Sequence, residues 1–222
     1  QLASSGSDDI ELIALVKDAN NVLLVGVDVT FSANAGASLQ LENGGSVALT
    51  GVDGIARATL STQNNQENRT IEVTASTATF SQILEIQVVG TQININGSSS
   101  AILNDPVPLT ISLVDSDGNG IANKTVTLSA TNGQLSDTNP VTSVEGQITV
   151  NYSSAVAGTD TVVAIALNSQ SEFFIAVQED DFSFVDASVD NEAVEVELNT
   201  ATELTVQWLK NGTAFANGNV TL

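Results

Sequence analysis

An internal repeat constrains this chain more than any single motif does. Residues 11–33, ELIALVKDANNVLLVGVDVTFSA, align without a gap on residues 108–130, PLTISLVDSDGNGIANKTVTLSA. Residues 203–222 match again, with one residue deleted in the turn. The repeat is about 95 residues long, which is the length of a small domain. It therefore predicts domains that follow one another in tandem.

The repeat divides the chain into three predicted units. Residues 1–90 form a first domain with an incomplete N-terminal strand, because nothing in it corresponds to residues 91–97. Residues 91–180 form a complete second domain, and residues 181–222 form the truncated start of a third. Two or three strands do not close a core by themselves. We expect this last piece to dock on the second domain, to be completed by further sequence, or to lie partly exposed.

Apolar and polar residues alternate in short runs within each repeat. Examples are Leu109, Ile111 and Leu113, then Ile148, Val150 and Tyr152, and also Leu84, Ile86 and Val88. This period of two, with Gly, Asn and Asp clusters between the runs, is typical of half-buried antiparallel strands. No segment shows a sustained helical period. Short strands separated by turns predict an all-β sandwich or barrel.

The repeat also predicts which residues form the core. Residues 51–62 match residues 143–154, and both segments place apolar residues on the same face, as a shared strand register requires. In the first copy these inward residues are Ala56, Ala58 and Leu60. In the second domain we expect a core that includes Leu109, Ile111, Val126, Leu128, Ile148, Val150 and Val162.

Composition excludes most kinds of active site. The 222 residues include no Cys and no His, so Ser–His and Cys–His catalysis are excluded and a zinc site is disfavoured. The formal net charge is −21, with 26 acidic and only 5 basic residues. So few cations do not neutralise a phosphate backbone, and no apolar run reaches the roughly 20 residues of a membrane helix. We expect a non-enzymatic protein with no nucleic-acid partner and no membrane insertion in this segment.

The order of the motifs is similar to that of a known family. VKDANNVLLVGVDVTFSANAG followed by TGVDGIARATLST, and LVDSDGNGIANKTVTLSATNG followed by VEGQITVNYSS, resemble the bacterial Ig-like domain of the intimin/invasin (Big-1) type. Asp18 and Asp115 fall on the family's first turn, and Gly54 and Gly146 fall on its later turn. The first copy departs from the pattern at Asn20–Asn21, and the third copy lacks the Asp.

This resemblance implies tandem Ig-like β-sandwiches with antiparallel, Greek-key topology, on the surface of a bacterium or in a secreted protein. The function we favour is a spacer: a monomeric rod in an adhesin-like protein, in contact with neighbouring Ig-like domains, that presents a distal binding region. Two alternatives stay open. One is a ligand-binding module that recognises a host or matrix protein or a glycan. The other is an accessory region of a secreted hydrolase.

The string DSDGNG begins as an EF-hand calcium loop does, with Asp115, Asp117 and Asn119 at alternate positions. The twelfth position of such a loop must supply a bidentate carboxylate, and here it is Val126. The flanking segments have the pattern of strands, and the equivalent stretches of the other copies lose carboxylates but keep a turn. We interpret the string as a turn, and these three residues as the weaker of two candidate calcium sites.

The stronger calcium candidate is the QEDD run between the second and third copies. Glu179, Asp180 and Asp181 are three consecutive carboxylates, which could share a divalent ion with Asp186 or Asp190 and stiffen the hinge. An acidic, solvated linker would explain the same residues. No other cofactor is expected.

The few aromatic residues give one further candidate. Phe173 and Phe174 are adjacent, so in a strand they point to opposite faces and one of them is exposed. That residue would be a candidate anchor for a partner. Trp208 aligns with Leu113 and is expected to lie in a core rather than to form a sugar-binding platform.

Overall fold

The computed structural model describes residues 1–34, 36–42 and 44–179, and short pieces of the remainder at 181–184, 189–190, 193–194, 205–210 and 213–215. Strands, turns and irregular segments make up this part of the chain, which contains no helix. It accordingly holds no helix that could cross a bilayer. The predicted all-β fold class is confirmed.

The first domain consists of two packed sheets. Its strands are β1 (Leu2–Ala3), β2 (Ile10–Leu15), β3 (Asp28–Ala33), β4 (Ser38–Leu41), β5 (Ala48–Leu49), β6 (Ile55–Ser61), β7 (Arg69–Ser76) and β8 (Ser81–Val89). One sheet has the order β1-β8-β7-β3-β5, and the other has the order β2-β6-β4. The strand β1 runs parallel to β8, and every other pairing here is antiparallel.

The second domain repeats this arrangement with two differences: it adds a strand, and the pairing made by β5 is reduced to a single bridge between Thr125 and Val141. Its strands are β9 (Gln92–Gly97), β10 (Ser100–Ile102), β11 (Val107–Val114), β12 (Thr127–Ala130), β13 (Gln134–Leu135), β14 (Gln147–Ser153), β15 (Gly158–Ala166) and β16 (Ser169–Gln178). The sheets have the orders β10-β16-β15-β12 and β13-β14-β11-β9. Again the first strand of one sheet, β10, runs parallel to its neighbour β16. The added strand is β9, which pairs with β11.

Beyond residue 180 the structure describes only β17 (Asp181–Phe184), β18 (Val189–Asp190), β19 (Ala193–Val194), β20 (Val206–Lys210) and β21 (Thr213–Ala214). The strand β20 pairs with both β17 and β21. Trp208 on β20 is half-buried, and its ring lies 5.0 Å from that of Phe215. The expected core position of Trp208 is thus only partly realised among these residues.

The core of the second domain matches the residues that alternation predicted. Inward residues from both sheets form one buried cluster, because successive side chains of a strand point to opposite faces. The predicted members are all buried, none more than 8% exposed, which confirms the strand register. They are Leu109, Ile111, Val126, Leu128, Ile148, Val150 and Val162.

The first domain has a smaller core. Ala56, Ala58 and Leu60 are buried as predicted. On β8, Ile86 and Val88 are also buried, but Leu84, the next inward position, is 55% exposed. The alternating pattern placed Leu84 on the inward face correctly, but it does not say whether a neighbouring strand covers that face.

A buried polar pair distinguishes the second core. The Tyr152 hydroxyl donates to Asp160 Oδ2 at 2.7 Å, and both residues are buried. Burial raises the pKa of the Asp160 carboxyl, but hydrogen bonds from Tyr152 and from backbone N–H groups outweigh this and leave it below its ordinary value. Burial, followed by the effect of Asp160, raises the pKa of Tyr152 to about 12. The pair is therefore phenol and carboxylate across the neutral range.

Candidate functional site: the joint between the two domains

The DSDGNG string forms a turn that its first carboxylate closes. Asp115 Oδ1 accepts hydrogen bonds from the backbone N–H groups of Asp117 and Asn119, each at 2.9 Å. The Gly118 N–H donates to the Asp115 carbonyl, and Gly118 has a φ of +82°. Aspartate often organises turns in this way, by accepting from backbone N–H groups a few residues ahead. One carboxylate oxygen is thus already used within the fold.

The first domain builds the same turn from different residues. Asp18 Oδ1 accepts from the N–H groups of Asn20 at 2.8 Å and Val22 at 2.9 Å. Asn21 stands where the second domain has Gly118 and has a φ of +64°. Asparagine tolerates this left-handed conformation better than most residues. The departure at Asn20–Asn21 therefore leaves the turn unchanged.

Neither candidate calcium site is completed by the described residues. No group of three or more Asp and Glu residues is positioned there to hold a metal ion. Glu179 is exposed just after β16, and Asp181 begins β17, while Asp180 lies outside the described residues. Calcium at these three residues, and at Asp115, Asp117 and Asn119, stays a prediction.

The same turn also contacts the first domain, which sequence reasoning missed. The Ser116 N–H donates to Ser4 Oγ, and the Ser5 N–H donates to Ser116 Oγ, each at 3.0 Å. Next to them the Ser7 hydroxyl donates to Asp117 Oδ1 at 3.4 Å. Asp117 therefore faces a hydroxyl of the neighbouring domain. Nothing in the alternation or in the repeat marks these serines, because the contact crosses between two copies.

A second set of contacts lies around Asn68. Its side chain pairs with the backbone of Thr91: Nδ2 donates to the Thr91 carbonyl at 2.9 Å, and the Thr91 N–H donates to Oδ1 at 3.1 Å. The Asn68 N–H also donates to the Leu167 carbonyl at 3.1 Å. In the other direction, Asn168 Nδ2 donates hydrogen bonds to the Asn68 carbonyl at 2.8 Å and to Glu67 Oε1 at 3.0 Å.

The hairpin that supplies Leu167 and Asn168 has the geometry needed for this contact. The two residues lie between the paired ends of β15 and β16, and both have positive φ, +49° and +57°. Positive φ at both central residues defines a type I′ turn, which matches the twist of the flanking strands. The turn therefore presents the Leu167 carbonyl and the Asn168 amide to Asn68 from a fixed backbone.

The linker between the two domains is short. Only Gly90 and Thr91 separate β8 from β9. Gly90 has a φ of +110°, and a Cβ there would lie 2.4 Å from Ser116 Cβ, so no larger residue fits. Thr91 is buried, and its hydroxyl donates to the Gln66 carbonyl. We define these contacts, the serine set and the Asn68 set around Gly90–Thr91, as the joint.

Comparison with known proteins identifies the repeating unit. A family model described as the bacterial Ig-like domain (group 1) matches residues 1–89 and 100–178. The chain belongs to this family. Membership confirms the resemblance drawn from the sequence and the tandem Ig-like repeat, and it agrees with the extracellular location that the resemblance implied. The matched segments fall within the predicted first and second domains.

Individual relatives of this bacterial Ig-like chain are more distant. The chain is 29% identical over 183 residues to the inverse autotransporter adhesin YeeJ of Escherichia coli (strain K12), a match that covers 76% of this chain and 8% of YeeJ. It therefore spans a small part of that relative's length. Among solved structures, the D0-D1 domain of intimin is 25% identical, with 78% of this chain and 92% of that chain covered and a TM-score of 0.34. The Yersinia pseudotuberculosis adhesin InvE is 16% identical, with coverages of 78% and 55% and a TM-score of 0.48.

Proposed function

We propose that this chain is a non-enzymatic spacer segment of a bacterial cell-surface or secreted adhesin-like protein. Its Ig-like domains form a stiff rod, and the rod presents a distal region that binds a host or matrix protein or a glycan. The observation that carries this proposal is the joint, in which hydrogen bonds of two separate sets hold one domain against the next.

A spacer has to resist bending, and the joint supports this in a specific way. The serine set contacts the turn after β11, whereas the Asn68 set contacts the hairpin between β15 and β16. These two loops belong to different sheets of the second domain. A bend toward either loop stretches the contacts at the other, so the two sets together oppose bending more than one set would.

The linker adds to this stiffness. The linker consists of Gly90 and Thr91. It allows little rotation, because Thr91 is buried and Gly90 is packed against the Ser116 side chain. In flexible linkers, by contrast, long Gly- and Ser-rich stretches behave as random coils. Interfaces between domains of one chain permit relative motion by default, so the spacer function depends on the joint rather than on the sandwiches alone.

Small-angle X-ray scattering of the 222-residue chain tests the proposal. We expect one extended shape whose maximum dimension does not change with salt. Asn68→Ala combined with Asn168→Ala removes most of the Asn68 set, and we expect a broader distance distribution with unchanged circular dichroism. Asn139→Ala is the matched control, because the side-chain amide of this exposed asparagine donates to the hydroxyl of the adjacent Thr138. Equal scattering from the parent and the double variant would contradict the spacer proposal.

A further inference from the structure

The second domain has one long edge strand, β9, which is the last strand of its sheet and pairs with β11 on one side. The edge strands of the two domains are otherwise two to four residues long, except for β2, which has six residues as β9 does. The strand β2 carries Glu11, whose carboxylate binds Arg57. Native proteins use short strands and charged side chains to prevent edge-to-edge pairing. The strand β9 has neither protection.

The surface around β9 carries no charge. Residues 91–104 contain no acidic and no basic residue, in a chain whose formal net charge is −21. The outward positions of the two strands beside β9 are also neutral. They include Thr110 and Ser112 on β11, and Gln147, Thr149 and Asn151 on β14. Two copies of this chain repel each other through their carboxylates, and this face of amides and hydroxyls is where they can approach with least repulsion.

The β9–β11 ladder shows which backbone groups of β9 are free. The Leu113 N–H donates to the Gly146 carbonyl, and the Leu113 carbonyl accepts from Ile121, so both groups point away from β9. Leu113 and its partner Ile93 therefore form a non-hydrogen-bonded pair. In such a pair the N–H and carbonyl groups of both residues point outward, so those of Ile93 point to the free edge. Those of Ile95 do so as well, because the pattern repeats every second residue.

One position of this edge is already paired within the joint. Thr91 lies two residues before Ile93, and its backbone groups point to the same side. The Thr91 N–H donates to Asn68 Oδ1, and the Thr91 carbonyl accepts from Asn68 Nδ2. The Asn68 amide thus bonds Thr91 as a residue of an antiparallel strand would. The edge accepts such a partner at its first position and is open beyond it.

We propose that β9 of one chain pairs antiparallel with β9 of a second copy. The segment QININ has the same alternation of amide and isoleucine in both directions, so a twofold axis at Asn94 matches it with itself. Ile93 of one copy then stands opposite Ile95 of the other, where the free backbone groups exchange hydrogen bonds. On the outer face Asn94 stands opposite Asn94, and Gln92 opposite Asn96. Such rows of Asn and Gln amides add to the stability of identical paired strands.

The contact closes on itself. Gly97, the next residue whose backbone groups point to the free edge, would stand opposite Thr91 of the other copy, where Asn68 already occupies those groups. The paired segment therefore ends within residues 92–96, and the product is a closed, isologous dimer rather than a fibre. This dimer departs from the monomer predicted from the sequence.

The pairing also sets the orientation of the two chains. The first domain lies at the N-terminal end of β9, because only Gly90 and Thr91 separate β9 from β8. Antiparallel strands therefore place the two first domains at opposite ends of the dimer. Chains that approach each other from opposite directions, such as those on two facing surfaces, fit this arrangement.

Thiol cross-linking of the 222-residue chain tests the register. Asn94→Cys places two cysteines opposite each other in a non-hydrogen-bonded pair, about 4.5 Å apart at Cα, which is within disulfide range. The chain contains no other cysteine. We expect oxidised glutathione to give a covalent dimer. Gln92→Cys is the matched control, because the two copies of position 92 would lie at opposite ends of the paired segment and should form no disulfide.

Sedimentation velocity measures the association without a cross-link. We expect the parent chain to shift from monomer to dimer as its concentration rises. Asn94→Lys should abolish the dimer, because like charges directly opposite each other destabilise a strand pair. Gln147→Lys is the matched control: it adds the same charge in the same row of the sheet, away from the edge, and should leave the dimer intact. An equal mixture of Asn94→Lys and Asn94→Glu should restore the dimer.

Both lysine variants lower the net negative charge, so a loss with Asn94→Lys alone cannot come from greater overall repulsion. A chain that stays monomeric at every concentration would overturn the inference. So would equal cross-linking of the two cysteine variants, or a dimer that Asn94→Lys weakens no more than Gln147→Lys does. None of these results depends on the stiffness of the joint, so the spacer proposal is tested separately.

Discussion

In the first domain, a guanidinium holds the loop at Gly36, whereas in the second domain a carboxylate holds the equivalent loop at Gly133. Arg69 Nη2 donates to the Gly36 carbonyl at 2.6 Å, and Nη1 donates to the carbonyls of Asn65 and Glu67 at 2.8 and 2.9 Å. Asp160 instead accepts from the Gly133 N–H at 2.6 Å. The same loop is held through backbone acceptors in one copy and through backbone donors in the other.

The core positions that carry the polar pair in the second domain are apolar in the first domain. Where the second domain has the Tyr152–Asp160 pair, the first domain has Leu60 and Ile71, both buried in its core. A buried carboxylate requires partners for its charge, and Asp160 receives them from Tyr152 and from backbone N–H groups. A repeat can therefore keep its strand register while its polar network is rebuilt.

The largest expected difference between the domains is in the stability that each loses when a charge replaces an inward-facing residue, at position 111 in the second domain and at position 14 in the first. Ile111→Asp places an unpaired charge in a closed core, and we expect a loss of about 4 kcal/mol or more, enough to unfold the second domain. Ala14→Asp, at the aligned and half-buried position of the first domain, should cost only about 1 kcal/mol because its carboxylate can reach water. Denaturant unfolding of each variant measures both values. Equal losses would show that the first domain is closed like the second.

The polar network of the second domain gives the next largest effect. Asp160→Ala leaves the Tyr152 hydroxyl and several backbone N–H groups without an acceptor, and we expect a loss of about 3 kcal/mol. Tyr152→Phe removes a single donor and should cost about 1 kcal/mol. In the first domain Arg69→Met should fall between these values, because the carbonyls it releases can bind water. If Tyr152→Phe cost as much as Asp160→Ala, the phenol rather than the carboxylate would organise the loop.

The same pair makes the two domains differ in their response to pH. The lowered pKa of Asp160 contributes stability above its unfolded value of about 3.9, and this stability is lost as pH falls toward the folded pKa. The raised pKa of Tyr152 contributes stability below its unfolded value of about 10, which is lost as pH rises to about 12. Thermal melts across pH should show both losses in the second domain's transition, and Tyr152→Phe should abolish the alkaline one. A first domain with the same alkaline loss would contradict this assignment.

Sequence reasoning predicted the parts of this protein that depend on alternation. The inward register of β11 and β14 followed from residues such as Leu109 and Val150, because the period of a strand and its burial are linked. It also predicted that Phe173 and Phe174 face opposite ways: Phe173 packs against the core, and Phe174 is 58% exposed.

The contacts between copies could not be predicted in this way. Ser116 occupies a turn position that the first copy fills with Ala19, so its bonds to Ser4 and Ser5 have no local signature in the repeat. The partner of Asn68 is a linker backbone whose path depends on how the two domains pack. The loop-holding role of Asp160 likewise arises from residues distant in sequence.

The smallest expected effect concerns calcium at the second junction. If Glu179, Asp180 and Asp181 bind the ion, calcium should raise the melting temperature by a few degrees relative to excess chelator, because an ion bound only by the folded state stabilises it. The shift should disappear in Asp180→Asn combined with Asp181→Asn and persist in Asp117→Asn. Loss of the shift in Asp117→Asn instead would show that calcium binds at the turn. The absence of any shift in the parent chain would contradict calcium binding at either candidate site.

The claim that the joint is stiff is tested most directly by a distance between the two domains. Val52 and Val144 are 89% and 84% exposed in equivalent turns, and the chain contains no cysteine, so Val52→Cys with Val144→Cys accepts two spin labels specifically. Double electron–electron resonance should give one narrow distance distribution, which widens when Asn68→Ala and Asn168→Ala are added. A distribution that is already as broad in the chain with an intact joint would contradict the account.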